Sequence, residues 1–298
     1  MVFIHLRKYD AILCYDVLPA GFISAFASLI LRKPLYLHCI GTYSLFHSSS
    51  SIKIYCMRLV HRQAKKTFIL SRSVKKNIED SLEGFVFTDP VIIPPGVDVD
   101  FFYPTDQKSA LVETPYCISV GAIKSRKGHD LSIEAFGQIA KKFPSLKYVL
   151  VGNFDSSSSF TPILYDIIQK YDIANKVIFL EKISDEELRK LYSHASFFVM
   201  TSRATREFIE GFGIVYLEAG LCGLASIGSE GTGAEDAILQ NETGIIVKPT
   251  IDSIRAGMEL LVQDPQLCKS LGENAQKYAF RYAWEKIANM YLSHITYK

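Results

Sequence analysis

The sequence predicts an α/β fold with helices on both faces of parallel sheets, divided into two domains. Three observations predict it. Strand-like and helix-like patterns alternate nearly throughout the chain. The run Pro94-Pro95-Gly96, followed by an irregular polar stretch from Phe101 to Pro115, interrupts that alternation and marks a boundary. The length, 298 residues, suits two domains of about 100–200 residues each.

The elements follow in order. Ala11–Tyr15 and Leu35–His38 read as short strands around a helix over 20–31. Lys66–Leu70 and Val91–Ile93 read as further strands, split by a helical stretch after Ser71. Beyond the break the alternation is regular. Strands are expected at Tyr116–Gly121, Lys147–Gly152, Lys176–Leu180, Phe197–Met200, Leu224–Gly228 and Ile245–Val247. Helices are expected at Asp130–Lys142, 161–171, Asp185–His194, 214–222 and, in succession, 251–296. The serine runs Ser48–Ser51 and Ser156–Ser159 read as exposed loops.

Composition is that of an ordinary globular protein, 48% hydrophobic and 21% charged, so a sizeable core is available. The net charge of +2 comes with no basic tail and no zinc-finger spacing, and nucleic acid is not expected as a partner. The six cysteines (Cys14, Cys39, Cys56, Cys117, Cys222 and Cys268) form no Cys-x-x-Cys pair. Buried free thiols in a reducing, cytoplasmic compartment follow. The N-terminus has no signal-peptide pattern. The longest apolar run, Leu18 to Leu31, is shorter than the ~20 residues needed to span a bilayer. It reads as a buried helix, with peripheral contact at a membrane surface as the sharper alternative.

The chemistry concentrates at Glu210–Glu218, Glu-Gly-Phe-Gly-Ile-Val-Tyr-Leu-Glu. Gly211 and Gly213 leave backbone N–H groups open to a ligand, and a glycine-led helix start favours anions. Glu210 stands at the mouth of this phosphate-like pocket. An acid near a helix start also simply favours the dipole, which accounts for Glu210 but not for Glu218, which sits within the apolar stretch Ile214–Leu224. A carboxylate there needs partners, and a ribose diol supplies two donors. Gly121 ends a strand and is followed by a short loop holding Lys124, Arg126 and Lys127. That loop reads either as a solvated basic turn or as a diphosphate clamp.

With these features in place the chain resembles glycosyltransferase family 4, retaining nucleotide-sugar enzymes of the GT-B fold. The resemblance runs through Val120-Gly121 with Lys127-Gly128, Leu150-Val151-Gly152, Val177-Ile178-Phe179 and Asp185-Glu186-Glu187-Leu188. It continues through Glu210–Glu218, Gly231–Glu235, Thr243–Val247 and Trp284-Glu285. Pro94–Asp98, with Phe102 and Pro104, resembles the family's interdomain segment.

The resemblance implies two Rossmann-like domains facing across a cleft. An acceptor-side domain would span 1–110 and a donor-binding domain 111–280, with a helix at 281–298 packing back towards the first. It implies transfer of a hexose from a UDP- or GDP-sugar to a saccharide, lipid or other acceptor, with retention and without a metal. Glu218 would hold the ribose, Lys127 the diphosphate beside Gly121, and Ile214 and Val215 the phosphate. Glu210, Gly211, Phe212 and Gly213 would meet the donor sugar, and the base would rest near Glu181–Ile183, with Ile183 as its contact. Leu37–Tyr43 resembles the segment carrying an active-site histidine, here His38; the alternative is a satisfied core histidine.

Two departures qualify the resemblance. Ala122 stands where the family usually has arginine, leaving Lys124 or Arg126 to substitute. The family's opening strand, glycine-rich loop and long helix have no counterpart before Tyr9, so the first domain is expected to be incomplete. That leaves room for a second chain completing it, and an alternative function as a nucleotide-sugar-binding subunit or inactive remnant. Asp98-Val99-Asp100 mimics a metal motif but lies in the interdomain segment, so no metal is expected. A nicotinamide enzyme is disfavoured by the absence of a Gly-x-Gly-x-x-Gly turn after the first strand.

Overall fold

The computed structural model describes residues 9–41, 51–81, 85, 87, 89–113, 115–155, 157–204 and 210–295. The expectations placed on residues 1–8, Thr42, Tyr43, Ser48–Ser50 and Ser156 lie outside them. The described residues divide into two compact units. The first comprises the chain up to Gly96 together with Glu210–Phe212 and Glu285–Ile295; the second comprises Val97–Ala204 and Gly213–Trp284.

In the first unit the chain runs β1 (Ile12–Tyr15), α1 (Ala20–Leu31), β2 (Leu35–Cys39), α2 (Ser51–Gln63), β3 (Ala64–Ile69), α3 (Arg72–Ser81) and β4 (Pro90–Ile92). The four strands form one parallel sheet in the order β1-β2-β3-β4. Each crossover steps to the next strand in the same direction. With right-handed crossovers this puts all three helices on one face. Leu35, Leu37 and Cys39 of β2 join Met57, Val60, Val74 and Ile78 in the core beneath those helices. Helix α1 meets the sheet through small residues: Gly21, Ala25, Ala27 and Ser28 are its buried positions. A Cβ on Gly21 would come within 3.0 Å of Val60 and 3.1 Å of the Asp16 carbonyl, so a side chain there would force the helix outward.

The sequence pattern carries no clear helix over 51–63, and the loop expected of the serine run reaches Ser51, where α2 already begins. The reason lies in its two-sided apolarity. Met57 and Val60 face the core while Ile52, Tyr55 and Leu59 face out, which blurs the amphipathic period.

The second unit runs β5 (Tyr116–Val120), α4 (His129–Ile139), β6 (Lys147–Val151), α5 (Phe160–Tyr171), β7 (Val177–Leu180), α6 (Asp185–His194) and β8 (Phe198–Met200). It continues through α7 (Ile214–Leu221), β9 (Ser226–Ser229), α8 (Ala234–Ala237), β10 (Gly244–Val247), α9 (Ile251–Gln263) and α10 (Pro265–Ala279). Its strands make a six-stranded parallel sheet, β10-β9-β8-β5-β6-β7. Expected and observed strand ends differ by up to two residues.

Strands β5 and β8 are buried along their whole length, as central parallel strands must be. Ile133, Phe136 and Ile139 of α4 are fully buried, each contributing about 1.5–3 kcal/mol of burial. Gly137 lets α4 and α5 touch, since a Cβ there would lie 2.5 Å from the Tyr171 ring. Ser184 caps α6 by accepting the Glu187 N–H at 3.2 Å, and Asp264 caps α10 by accepting the Leu267 N–H at 2.9 Å, with Pro265 opening the helix.

The segment after Gly96 packs within the second unit. The Val97 N–H donates to the Tyr282 carbonyl at 2.8 Å, and Arg189 of α6 lies against the rings of Phe101 and Tyr103. Asp98 uses its carboxylate to accept the N–H groups of Asp100 and Phe101, forming a turn. After α10 a single 3-10 turn leads into α11 (Trp284–His294), which belongs to the first unit from Glu285 on. It covers the sheet face opposite α1–α3: Tyr291 packs on His38 and Phe68, and His294 Nδ1 sits 3.3 Å from Lys66 Nζ.

Candidate functional site

The strand order of the second unit reverses between β5 and β8: one half of the sheet grows outward through β6 and β7, the other through β9 and β10. In open α/β sheets the carboxyl ends of the strands at such a switch point are where ligands gather. The sequence-predicted residues Gly121, Arg126 and Lys127 lie on the β5 loop.

Gly121 has φ +146° and turns the chain out of β5. A Cβ there would meet Met200 at 3.1 Å and the end of the Lys127 side chain at 3.8–3.9 Å, so the Lys127 ammonium lies directly above this glycine. Residues Ser125–Lys127 form one 3-10 turn, closed by Gly128 at φ +70°. A Cβ on Gly128 would fall 2.0 Å from the Thr201 carbonyl after β8, so only glycine lets the two loops close together.

Arg203, after β8, holds that turn in place. Its N–H donates to the Arg126 carbonyl at 2.8 Å, its guanidinium reaches the Ser125 carbonyl at 3.4 Å, and it pairs with Asp130 at 2.7 Å. Arg203 carries no local signal in the sequence, because only the fold brings position 203 beside 125–130. His129, under the same turn, is fully buried and its pKa is pushed down to about 4, so its ring is neutral.

Helix α7 begins at Gly213, which has φ +82° and caps the helix without a side chain. The N–H groups of Ile214 and Val215 belong to the first turn, where helical geometry supplies no acceptor. Glu218 lies one turn further along. It is half-buried, and Tyr192 of α6 donates its hydroxyl to the carboxylate at 3.3 Å. Burial pushes the Glu218 pKa up to about 7; the Tyr192 bond lowers it and the Asp185 charge raises it. An acid held this way gains from further donors. Tyr192 gave no signal in the sequence beyond being one apolar position of α6. Ile183 lies half-buried after β7, next to Lys182 at φ +52°, and the neighbouring Glu181 accepts the Phe154 N–H of the β6 loop.

The first unit holds the remaining predicted residues. Gly211 packs against the carboxyl ends of β2 and β3: a Cβ there would lie 2.7 Å from the Ile40 carbonyl and 3.1 Å from Leu70. The Ser71 hydroxyl donates to the Gly211 carbonyl at 2.5 Å and accepts the Val74 N–H at 3.0 Å, so one serine caps α3 and fixes the glycine. Glu210 is half-exposed beside it and Phe212 is buried. The motif is thus divided, with Glu210–Phe212 in the first unit and Gly213–Glu218 in the second.

His38 is 4% exposed within β2, ringed by Tyr15, Phe68 and Tyr291. The Tyr291 hydroxyl stands 3.0 Å from Nδ1 and 3.1 Å from Nε2. Burial pushes its pKa down to about 4, so it is a neutral hydrogen-bonding ring at pH 7. The enclosure by Tyr291 comes from the C-terminal helix and was not legible from the histidine's own neighbours.

A cavity of about 540 Å³ opens at the other, amino end of the second sheet, lined by Pro115, Leu146, Ser196, Leu224, Cys222 and Cys268 among others. None of the predicted site residues lines it. Five of the six cysteines, including these two, are buried free thiols, and Cys56 is half-buried. Among the described residues no helix is long and apolar enough to cross a membrane.

Comparison with known proteins adds three findings. A family model described as glycosyl transferases group 1 matches residues 104–278. The GDP-mannose-dependent alpha-(1-6)-phosphatidylinositol monomannoside mannosyltransferase of Mycolicibacterium smegmatis is 29% identical over 197 residues, 63% of this chain and 50% of that one. The D-inositol 3-phosphate glycosyltransferase of Mycobacteroides abscessus is 29% identical over 230 residues, 73% of this chain and 49% of that one. The chain thus spans about half the length of these curated relatives. Among solved structures, Anabaena HepE in complex with UDP superposes with a TM-score of 0.85 at 22% identity, covering 99% of this chain and 81% of that one. That likeness shows the fold, which is GT-B.

Proposed function

The chain belongs to the glycosyl transferases group 1 family, and from that premise we propose that it transfers a hexose from a UDP- or GDP-sugar to a saccharide, lipid or other acceptor. The finer reading is a family 4 enzyme that retains anomeric configuration and needs no metal. The observation that carries the proposal is the reversal of strand order between β5 and β8, with Lys127 over Gly121 and the half-buried, Tyr192-bonded Glu218 in the same unit.

In this reading the ionised Glu218 accepts both hydroxyls of the ribose diol. Ile183 lies against the base. Lys127, Arg126 and the N–H groups of Ile214 and Val215 meet the diphosphate. When the sugar–phosphate bond breaks, negative charge grows on the departing oxygen, and these fixed donors stabilise it without reorganising. Glu210, Gly211, Phe212 and Gly213 serve the sugar, while His38, closed in by Tyr15, Phe68 and Tyr291, takes the part of a satisfied core histidine. Both named curated relatives have names of glycosyltransferases, one of them GDP-mannose-dependent, and HepE was solved with UDP, which supports a nucleotide-sugar donor.

The test is transfer from UDP-glucose and GDP-mannose to a panel of saccharide and lipid acceptors, with Lys127→Ala and Glu210→Gln alongside. Wild-type rates in both variants would refute the site. A second reading is nucleotide-sugar binding without turnover. Donor affinity in calorimetry with no product from any acceptor would select it.

A further inference from the structure

Helix α1 is turned inside out for a water-exposed helix. Its small residues face the sheet, while Phe22, Ile23, Phe26, Leu29 and Ile30 are 49–61% exposed. Helix α2 lies alongside and extends the surface: Ile52 is 75%, Tyr55 62% and Leu59 39% exposed. Gln63 Nε2 reaches Ser28 Oγ at 3.4 Å, so the two helices end side by side. A contiguous apolar surface of this kind, unlike scattered exposed leucines, marks an interaction face.

Its charge indicates what it meets. From Val17 to Ile78 the sequence holds four arginines and six lysines and no aspartate or glutamate, in a chain whose net charge is only +2. Arg32 is the C-cap of α1 and Arg62 lies in the last turn of α2, on the stripe of Tyr55 and Leu59; both are exposed. Lys65, also exposed, follows in β3. A two-helix apolar face bordered at one end by cations, with no acid in its stretch of chain, combines the two attractions of an interfacial membrane anchor: insertion of apolar side chains and pairing with anionic headgroups.

We propose that the exposed faces of α1 and α2 dock the protein on an anionic lipid bilayer, with the α1 and α2 side chains at the acyl boundary and Arg32 and Arg62 among the headgroups. The proposal stands independently of the donor-site reading.

The experiment is flotation of the full chain with vesicles of phosphatidylcholine alone and of an equimolar phosphatidylcholine–phosphatidylglycerol mixture, at low and high salt. The expected result is flotation with the anionic vesicles that weakens as salt rises. Arg32→Gln and Arg62→Gln each lower partitioning about fivefold, and Phe26→Ser and Leu29→Ser lower it further. All four side chains are exposed, so unchanged melting temperatures show that the fold is intact. Failure of the wild-type chain to float with anionic vesicles overturns the proposal. So does a stable dimer by light scattering that Phe26→Ser dissociates, which would assign the face to a second copy. Stoichiometric capture of a separate polypeptide that abolishes flotation would assign it to a protein partner and overturn it equally.

Discussion

Protonation of Glu218 should control donor affinity. Burial holds its pKa at about 7, against an ordinary 4.5. The acid is therefore about nine-tenths ionised at pH 8 and about one-tenth at pH 6, and a ligand requiring the ionised form loses about tenfold in affinity, ~1.4 kcal/mol, over that interval. Binding at pH 7 should release about half a proton. Isothermal calorimetry with UDP-glucose or GDP-mannose measures both quantities, using buffers of different ionisation enthalpy. A nucleotide sugar is preferable to UDP, because its doubly esterified diphosphate does not titrate near pH 6. Glu218→Gln should remove the slope and bind roughly 10- to 100-fold more weakly at pH 8, the value of charge-assisted hydrogen bonds of ~1.5–3 kcal/mol. A donor lacking the ribose diol should bind with no pH dependence in either protein. The folded-state pKa is raised, so the stability linked to Glu218 is present below 4.5 and lost as pH rises through about 7. Glu218→Gln should consequently melt no lower than wild type at pH 8. Affinity that is flat between pH 6 and pH 8, or an unchanged slope in Glu218→Gln, would refute the assignment.

Other expectations concern the frame around the site. Arg203→Ala should weaken donor binding through the 125–130 turn, and a Lys127→Ala, Arg203→Ala double variant should lose less than the sum of the single changes, as measured by calorimetry. Gly128→Ala places a methyl 2.0 Å from the Thr201 carbonyl; a fall in stability of more than about 3 kcal/mol in urea unfolding is expected, and a neutral result would contradict the loop geometry. Tyr148 joins Ser119 and Ser132 in a buried hydrogen-bonded trio, and Tyr148→Phe should cost about 1–3 kcal/mol. His38, His61 and His129 are each pushed down to about 4 from 6.5, so the stability they confer is full above 6.5 and lost as pH falls through 4. Both ring nitrogens of His61 are buried without a partner between Phe85 and Phe87, so His61→Phe should shift the acid-unfolding midpoint, followed by circular dichroism, to lower pH.

Much of the second unit was legible because each buried strand is a short apolar run with a break at its end, as at Val120-Gly121 and Val151-Gly152. Glu218 was legible for a related reason: an acid inside Ile214–Leu221 contradicts its surroundings and so requires a partner. Arg203 and Tyr192 carry no such contradiction. An arginine after a strand and a tyrosine in an amphipathic helix are ordinary locally, and only the sheet order brings them to Ser125 and Glu218. Helix α2 was hidden by outward apolar residues that a periodicity argument expects to find inside.

The return of α11 to the first unit has a consequence for synthesis. His38 and Phe68 are translated early, yet their covering residue, Tyr291, lies 253 positions beyond His38. The ribosome must deliver the whole of the second unit before that face of the first sheet can be closed. The second unit, continuous except for one short excursion, can finish first; the first unit waits, with Tyr36 and Phe68 exposed to the cell's chaperones. A stop codon ahead of Trp284 would therefore damage the beginning of the protein more than the part adjoining the cut.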